Sequence, residues 1–248
     1  MAPRTLIKSI LFNLKMYRLY WTSLVTVTVL LPLTYMAVVV LSSGGSAESF
    51  LVGLTGYVVM ACFSTLVYPV AVTVANTFEE QVLELHASLP ISLRELFASY
   101  IVSQLLFSIP PVALGVALLL VAAGGLNWIY VFLSLLISAL LFPNIAVLLG
   151  LTVRNRYRLE PLLTLLIILL AIATPLYYTL KGIYQPWRTV MLFNPFTHIV
   201  CLLRLSVGFQ EGVPVSYSLA YLISLTLLLT AVTLYKTRQG ALMVLEKR

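Results

Sequence analysis

The chain has 248 residues, of which 61% are hydrophobic and 9% charged, where a soluble domain carries about 25% charged residues. That deficit, with a mean hydropathy of +1.04, excludes a soluble globular domain and leaves a polytopic membrane protein. The formal net charge of +7 does not point to nucleic acid, because no basic patch is interleaved with exposed aromatics; in membrane proteins cations collect on the cytoplasmic side.

Residues 4–20 are amphipathic: Leu6, Ile7, Ile10, Leu11 and Leu14 form an apolar stripe, with Arg4, Lys8, Lys15 and Arg18 away from it. This is the pattern of an interfacial helix on an anionic leaflet, with a frayed cationic tail as the alternative. The next apolar run, 21–41, is longer than the h-region of a signal peptide and reads as a retained anchor. A spanning helix needs about 20 apolar residues, and six stretches qualify: 21–41, 50–75, 99–122, 128–151, 161–180 and 216–235. Pro32, Pro69, Pro110–Pro111, Pro143 and Pro175 fall inside these runs or near their ends, where membrane helices tolerate proline; the double proline is expected to kink its helix.

Between the second and third runs lies TFEEQVLELHASLPISLRELF, residues 77–97. Phe78, Val82, Leu85 and Leu89 recur at steps of three and four, so 77–89 is predicted to be a short amphipathic helix. Glu80 and Glu84 share another face, with Glu79 beside them. Pro90 ends that helix, because it has no N–H and clashes with the preceding turn. Ser92 and Glu95 then have the spacing of a capping box for the next helix. Such an element suits a partner that pushes on it, although the glutamates also fit a plain wet face.

The remaining connections are SSGGSAES (42–49), the tight Gly124–Asn127, and the basic TVRNRYRLE (152–160). The last of these reads as a topology anchor, or as a contact with a partner or lipid headgroups. The segment 181–215 is too apolar for a free loop. Asn194-Pro195 has the form of a helix start and Gly208 that of a stop, and the run between is too short to span, so 181–208 reads as re-entrant or interfacial. Tyr177, Tyr178, Tyr184 and Trp187 fit an interfacial aromatic belt, or contact with a passing substrate. Arg204 suits either an outer gate or lipid headgroups. Placing the N-terminus inside puts twelve of the 15 Lys and Arg residues on the inner side and three (Lys181, Arg188, Arg204) outside, so both termini are expected in the cytoplasm.

Several chemistries lack their residues. No Gly-Lys pair exists for a Walker A loop, and His86 and His198 have no metal-ligand spacing. Without any Asp the usual catalytic triad is excluded, though a Glu variant is not. Cys62 and Cys201 have no C-x-x-C spacing and read as packing residues. No acidic residue falls deep in a predicted span, since Glu48, Glu160 and Glu211 lie at membrane ends. That disfavours an ion-coupled secondary transporter, which stays as an alternative beside a membrane scaffold without transport. The energy for any transport would therefore enter from elsewhere.

Three features together resemble the membrane-spanning permease of ABC-2 type ABC transporters: six spans behind an interfacial helix, the stretch FEEQVLELHASLPISLRELF, and TPLYYTLKGIYQPWRTVMLFNPFTHIVCLLR from Thr174 to Arg204. The resemblance implies an all-α fold with six transmembrane helices and both termini inside, a coupling helix between spans two and three, and a re-entrant segment between spans five and six. It implies that Glu79, Glu80, Glu84, Leu85, Leu89 and Pro90 couple to separate ABC ATPase subunits, which would carry ATP and Mg, no cofactor being held by this chain. It further implies pairing with a second permease copy or paralogue, and export through the dimer interface across the cytoplasmic membrane. The cargo would be small and amphipathic (a drug, antibiotic or lipid), with a polysaccharide as the alternative. Asn194 and Pro195 would start the re-entrant helix.

Overall fold

The computed structural model describes residues 3–17, 46–79 and 92–246, with scattered positions between them: Thr22, Val25, Thr26, Leu30, Leu33, Thr34, Ala37, Leu41, Val82 and Glu84. The expected first span, 21–41, falls largely outside the described residues, as do Glu80, Leu85, Leu89 and Pro90. Among the described residues every regular element is a helix: α1 (Pro3–Tyr17), α2 (Ala47–Leu66), α3 (Tyr68–Asn76), α4 (Leu93–Ala123), α5 (Trp128–Val153), α6 (Arg156–Ala173), α7 (Gln185–Leu192), α8 (Pro195–Leu205) and α9 (Val215–Glu246). Four stretches among the described residues are long and apolar enough to cross a membrane: Ala47–Asn76, Leu93–Ala123, Trp128–Val153 and Val215–Gln239.

Local chemistry sets most of the boundaries. Ser92 caps α4 reciprocally: its hydroxyl accepts from the Glu95 N–H at 3.3 Å, and the Glu95 carboxylate accepts from the Ser92 N–H at 3.1 Å. The helix therefore begins at Leu93, ahead of the expected 99. It continues through Pro110 and Pro111, and the Tyr57 hydroxyl donates to the Pro111 carbonyl. Gly124, at φ 67°, ends it in the left-handed conformation that favours glycine, and Asn127 caps α5. The second expected span is divided at Val67 into α2 and α3, with Pro69 in the first turn of α3.

The fifth expected span, 161–180, is shorter as a helix than its apolar run. Helix α6 ends at Ala173, and Thr174 is extended at φ −110°, ψ 136°. Pro175 is the cause: it disfavours helical geometry in the residue before it. Toward its start α6 carries Arg156, Arg158 and Glu160, so its apolar part is a short one.

Helix α2 lies at the centre, buried on all sides from Val52 to Leu66. Phe63 meets Phe142 of α5 and Phe196 of α8 edge-on, at centroid distances of 5.8 and 5.0 Å, while Phe142 and Phe196 stack at 4.9 Å. These rings lock α2, α5 and α8 together. Helix α8 runs antiparallel to α2, because Phe196 sits beside Phe63 whereas Arg204, at its other end, reaches Thr55. Its C-terminus lies level with the α4–α5 connection, where the Asn127 N–H donates to the Ser206 carbonyl at 2.8 Å. Helix α7 begins at that same end, since Arg188 in its first turn donates to the Glu211 carbonyl. The α7–α8 hairpin thus enters the bundle at the Gly124 end, turns at Phe193–Asn194 and returns. The opposite end carries Thr77, Ser92 and Arg154.

Candidate functional site

The Arg154 end gathers the described parts of the predicted coupling region. Thr77 follows α3 and adjoins Tyr100 of α4, and its hydroxyl donates to the Thr73 carbonyl at 2.9 Å. Phe78 presents its ring to the Arg154 guanidinium, 5.4 Å from the ring centroid, an attraction of about 0.5–2 kcal/mol. Arg154 is itself a left-handed helix end at φ 52°, with its Nε donating to the Leu151 carbonyl at 3.0 Å. Glu79 is half-buried, and its N–H donates to the Asn76 carbonyl; Glu84 is helical and exposed. The hydrogen bond to Glu160 at 2.8 Å pushes the Arg156 guanidinium above its ordinary value, and the charge of Glu79 adds to that effect.

The N-terminal helix docks at the same end. The Ser9 hydroxyl donates to the Ser99 hydroxyl at 2.9 Å, and the Asn13 amide donates to it at 3.2 Å. Ile7, Leu11 and Phe12 stay exposed. The polar side of α1 therefore grips the foot of α4 while an apolar side is left for a bilayer. One contiguous surface joins α1, the foot of α4, residues 77–79 and the α5–α6 turn.

The Gly124 end holds a second centre, around Arg204. The sequence offered a gate or lipid headgroups for this residue, but the side chain is fully buried and neither solvent nor lipid reaches it. Its Nη1 donates to Glu211 Oε1 at 2.5 Å and its Nη2 to the carbonyls of Pro175 at 2.6 Å and Leu176 at 3.3 Å. Its Nε donates to the Thr55 hydroxyl at 3.3 Å. The other Glu211 oxygen accepts from the Leu180 N–H at 2.7 Å. A buried charge is tolerated only when paired and hydrogen-bonded, and both charges here are. Gly56 makes this approach possible: a Cβ there would lie 2.1 Å from the Leu176 carbonyl oxygen.

The rest of the hairpin is held by similar means. Asn194 caps α8 by accepting from the Phe196 N–H at 3.0 Å, with Pro195 in the first position, and its amide donates to the Thr174 hydroxyl at 2.8 Å. His198 is buried between the Leu192 carbonyl, 2.8 Å from Nε2, and the Ser218 hydroxyl, 3.0 Å from Nδ1. The carbonyl can only accept, so Nε2 carries the proton. Of the four belt aromatics, Tyr184 and Trp187 are exposed, while the Tyr178 hydroxyl donates to the Ile172 carbonyl at 2.6 Å. Sequence reasoning missed the role of Glu211. The signal available was a lone Arg in an apolar helix with one Glu in the loop after it, since a buried cation has to find an anion.

Apolar helices of spanning length around a buried polar centre define a helical polytopic membrane protein. More narrowly, the chain belongs to the ABC-2 family: the family described as "ABC-2 family transporter protein" matches residues 16–235. No curated protein matches the chain. Membership makes the chain a membrane component of a transporter, an ABC permease in general terms.

Proposed function

We propose that the chain is the permease subunit of an ATP-driven exporter in the cytoplasmic membrane, powered by separate ABC ATPase subunits and paired with a second permease copy or paralogue. The observation that carries this reading is the contiguous surface at the Arg154 end, where α1, the foot of α4, the 77–79 segment and the α5–α6 turn adjoin. A partner pressing on residues 77–90 from that side pushes directly on the ends of α3 and α4. The distribution of Lys and Arg supports a cytoplasmic position for this end, with six spans and both termini inside. In this reading Glu79, Glu80, Glu84, Leu85, Leu89 and Pro90 form the contact with the ATPase, and the α7–α8 hairpin is re-entrant from the outer side.

A small amphipathic cargo is supported by an apolar groove on the side of the bundle, where Ile109, Trp128 and Phe132 are exposed. A cavity of about 600 Å³ opens between α2, α4 and α5, lined among others by Cys62, Leu66, Leu105, Val112, Trp128 and Phe132, and no charged residue lines it. Such walls suit a hydrocarbon-rich guest better than a polysaccharide, whose hydroxyls would lose their water unpaired.

The test is purification from native membranes in mild detergent, followed by mass spectrometry and vesicle transport. The expected result is a stoichiometric partner with a Walker A motif and ATP-dependent efflux of amphipathic dyes. The variant Glu80→Lys with Glu84→Lys is expected to insert normally and lose at least about tenfold in transport, a loss within the range of coupling between sites. Normal transport by that variant would remove the coupling assignment. Transport that follows an ion gradient without an ATPase partner would replace the exporter reading with the secondary transporter.

A further inference from the structure

We propose that Arg204 is a positioning residue: with Glu211 and Thr55 it clasps the α7–α8 hairpin to α2, so that hairpin and helix move as one body during transport and the clasp stays shut. This deepens the exporter reading above and rests on it.

The geometry distinguishes a clasp from a gate. A gate needs a contact that forms in one state and gives way to water in another. Arg204 instead meets four acceptor residues from three separate parts of the chain: Thr55 on α2, the carbonyls of Pro175 and Leu176 after α6, and Glu211 beyond α8. Glu211 is engaged on both oxygens, and the two side chains are 0% and 3% exposed. Opening this contact would part a fully buried guanidinium from its carboxylate and its three other acceptors at once, which is costly wherever new partners do not replace them. The backbone repeats the same attachment, because Gly56 lets α2 touch the Leu176 carbonyl, which Arg204 also holds. At the other end of the hairpin the Phe63–Phe196 contact again joins α2 to α8. Helix α8 is thus fixed to α2 near both of its ends. Helix α2 leads through α3 to the segment proposed to receive the ATPase. A displacement there is carried along α2 to the hairpin without an intervening hinge at the outer end.

The experiment places spin labels at Glu48→Cys on α2 and Val190→Cys on α7, both exposed, in the assembled permease–ATPase complex. The native Cys62 and Cys201 are replaced with Ala before labelling. The distance between labels is measured nucleotide-free and with ATP trapped, alongside ATP-driven transport. The expected result is one unchanged distance in both states. In the double variant Arg204→Met with Glu211→Gln, which leaves no buried charge, the distance is expected to broaden and transport per ATP to fall about tenfold. A shift between states in the unmodified clasp on the order of 5 Å, one helical turn, makes the contact a gate and overturns the proposal. So does full coupling in the double variant. Should the double variant fail to fold, the two-state distance in the unmodified clasp still decides. A complex without ATP-dependent transport would instead count against the exporter reading, whatever the distance does.

Discussion

Arginine at position 204 does what lysine cannot. Its planar fork reaches Glu211, two carbonyls and the Thr55 hydroxyl at once, where an ammonium is a point charge with less reach. Arg204→Lys is therefore expected to keep the pairing with Glu211 but leave part of the acceptor set unsatisfied, at about 1–3 kcal/mol. Arg204→Ala strands the buried carboxylate and is expected to cost about 3–5 kcal/mol. Thermal unfolding of the detergent-purified protein separates the two, with Ala below Lys and Lys below wild type. Equal unfolding temperatures for Lys and Ala would mean that the charge itself contributes nothing. In the sequence Arg204 and Glu211 could be seen but not paired. They are seven residues apart, which in a continuous helix is two turns, but α8 ends at Leu205 and Glu211 lies in an irregular loop, so no helical or strand period pairs them.

Individual elements were legible wherever their ends are written in side chains next to them. Ser92 and Glu95 announce the start of α4, and Asn194-Pro195 announces α8, because a cap is a contact within four residues. The end of α6 is encoded just as locally by Pro175, yet the apolar run passes through it, and hydropathy alone carries the expected span on to 180. What the hairpin leans on is a different matter, since docking is set by residues distant in sequence. His198 joins α8 to Ser218 of α9, and the Tyr221 hydroxyl of α9 donates to the Phe193 carbonyl at 2.5 Å. Replacing His198 with Phe keeps the ring and removes both polar contacts. This is expected to cost about 1–3 kcal/mol by leaving the Leu192 carbonyl and the Ser218 hydroxyl unpaired. The loss should appear as faster proteolysis at the α7–α8 turn with the spans still intact. Unchanged proteolysis would show that the aromatic contacts with Tyr217 and Tyr221 hold the hairpin by themselves.

At the scale of the whole molecule, composition already determines the class, the resemblance of the 77–97 and 174–204 stretches points to the family, and the arrangement of the helices comes from packing. Four of the six expected spans meet the length and polarity of a membrane crossing as helices. Helix α6 carries three charges near its start, and the residues 21–41 fall largely outside the described ones. The two ends of the bundle differ sharply in charge. Tyr157 is exposed beside Arg154, Arg156 and Arg158, whereas Gly125 lies in the uncharged α4–α5 turn. If the basic end faces the cytoplasm, a membrane-impermeant thiol reagent labels Gly125→Cys in intact cells and labels Tyr157→Cys only after permeabilisation. The opposite pattern would invert the orientation and place the proposed ATPase surface on the wrong side.

The partners of Arg204 also impose an order on synthesis. When the ribosome has made α8, the guanidinium has Thr55 and the Pro175 and Leu176 carbonyls already behind it in the chain, but its only carboxylate, Glu211, is still to come. Until then an unneutralised cation would have to enter the hydrocarbon, which costs several kcal/mol. The hairpin therefore has reason to wait at the membrane surface, in reach of water, and to settle against α2 only after Glu211 has emerged. If the hairpin is re-entrant, its insertion is expected to follow the synthesis of Glu211 and to depend on that residue and on Thr55 as well as on the hydrophobicity of the segment itself.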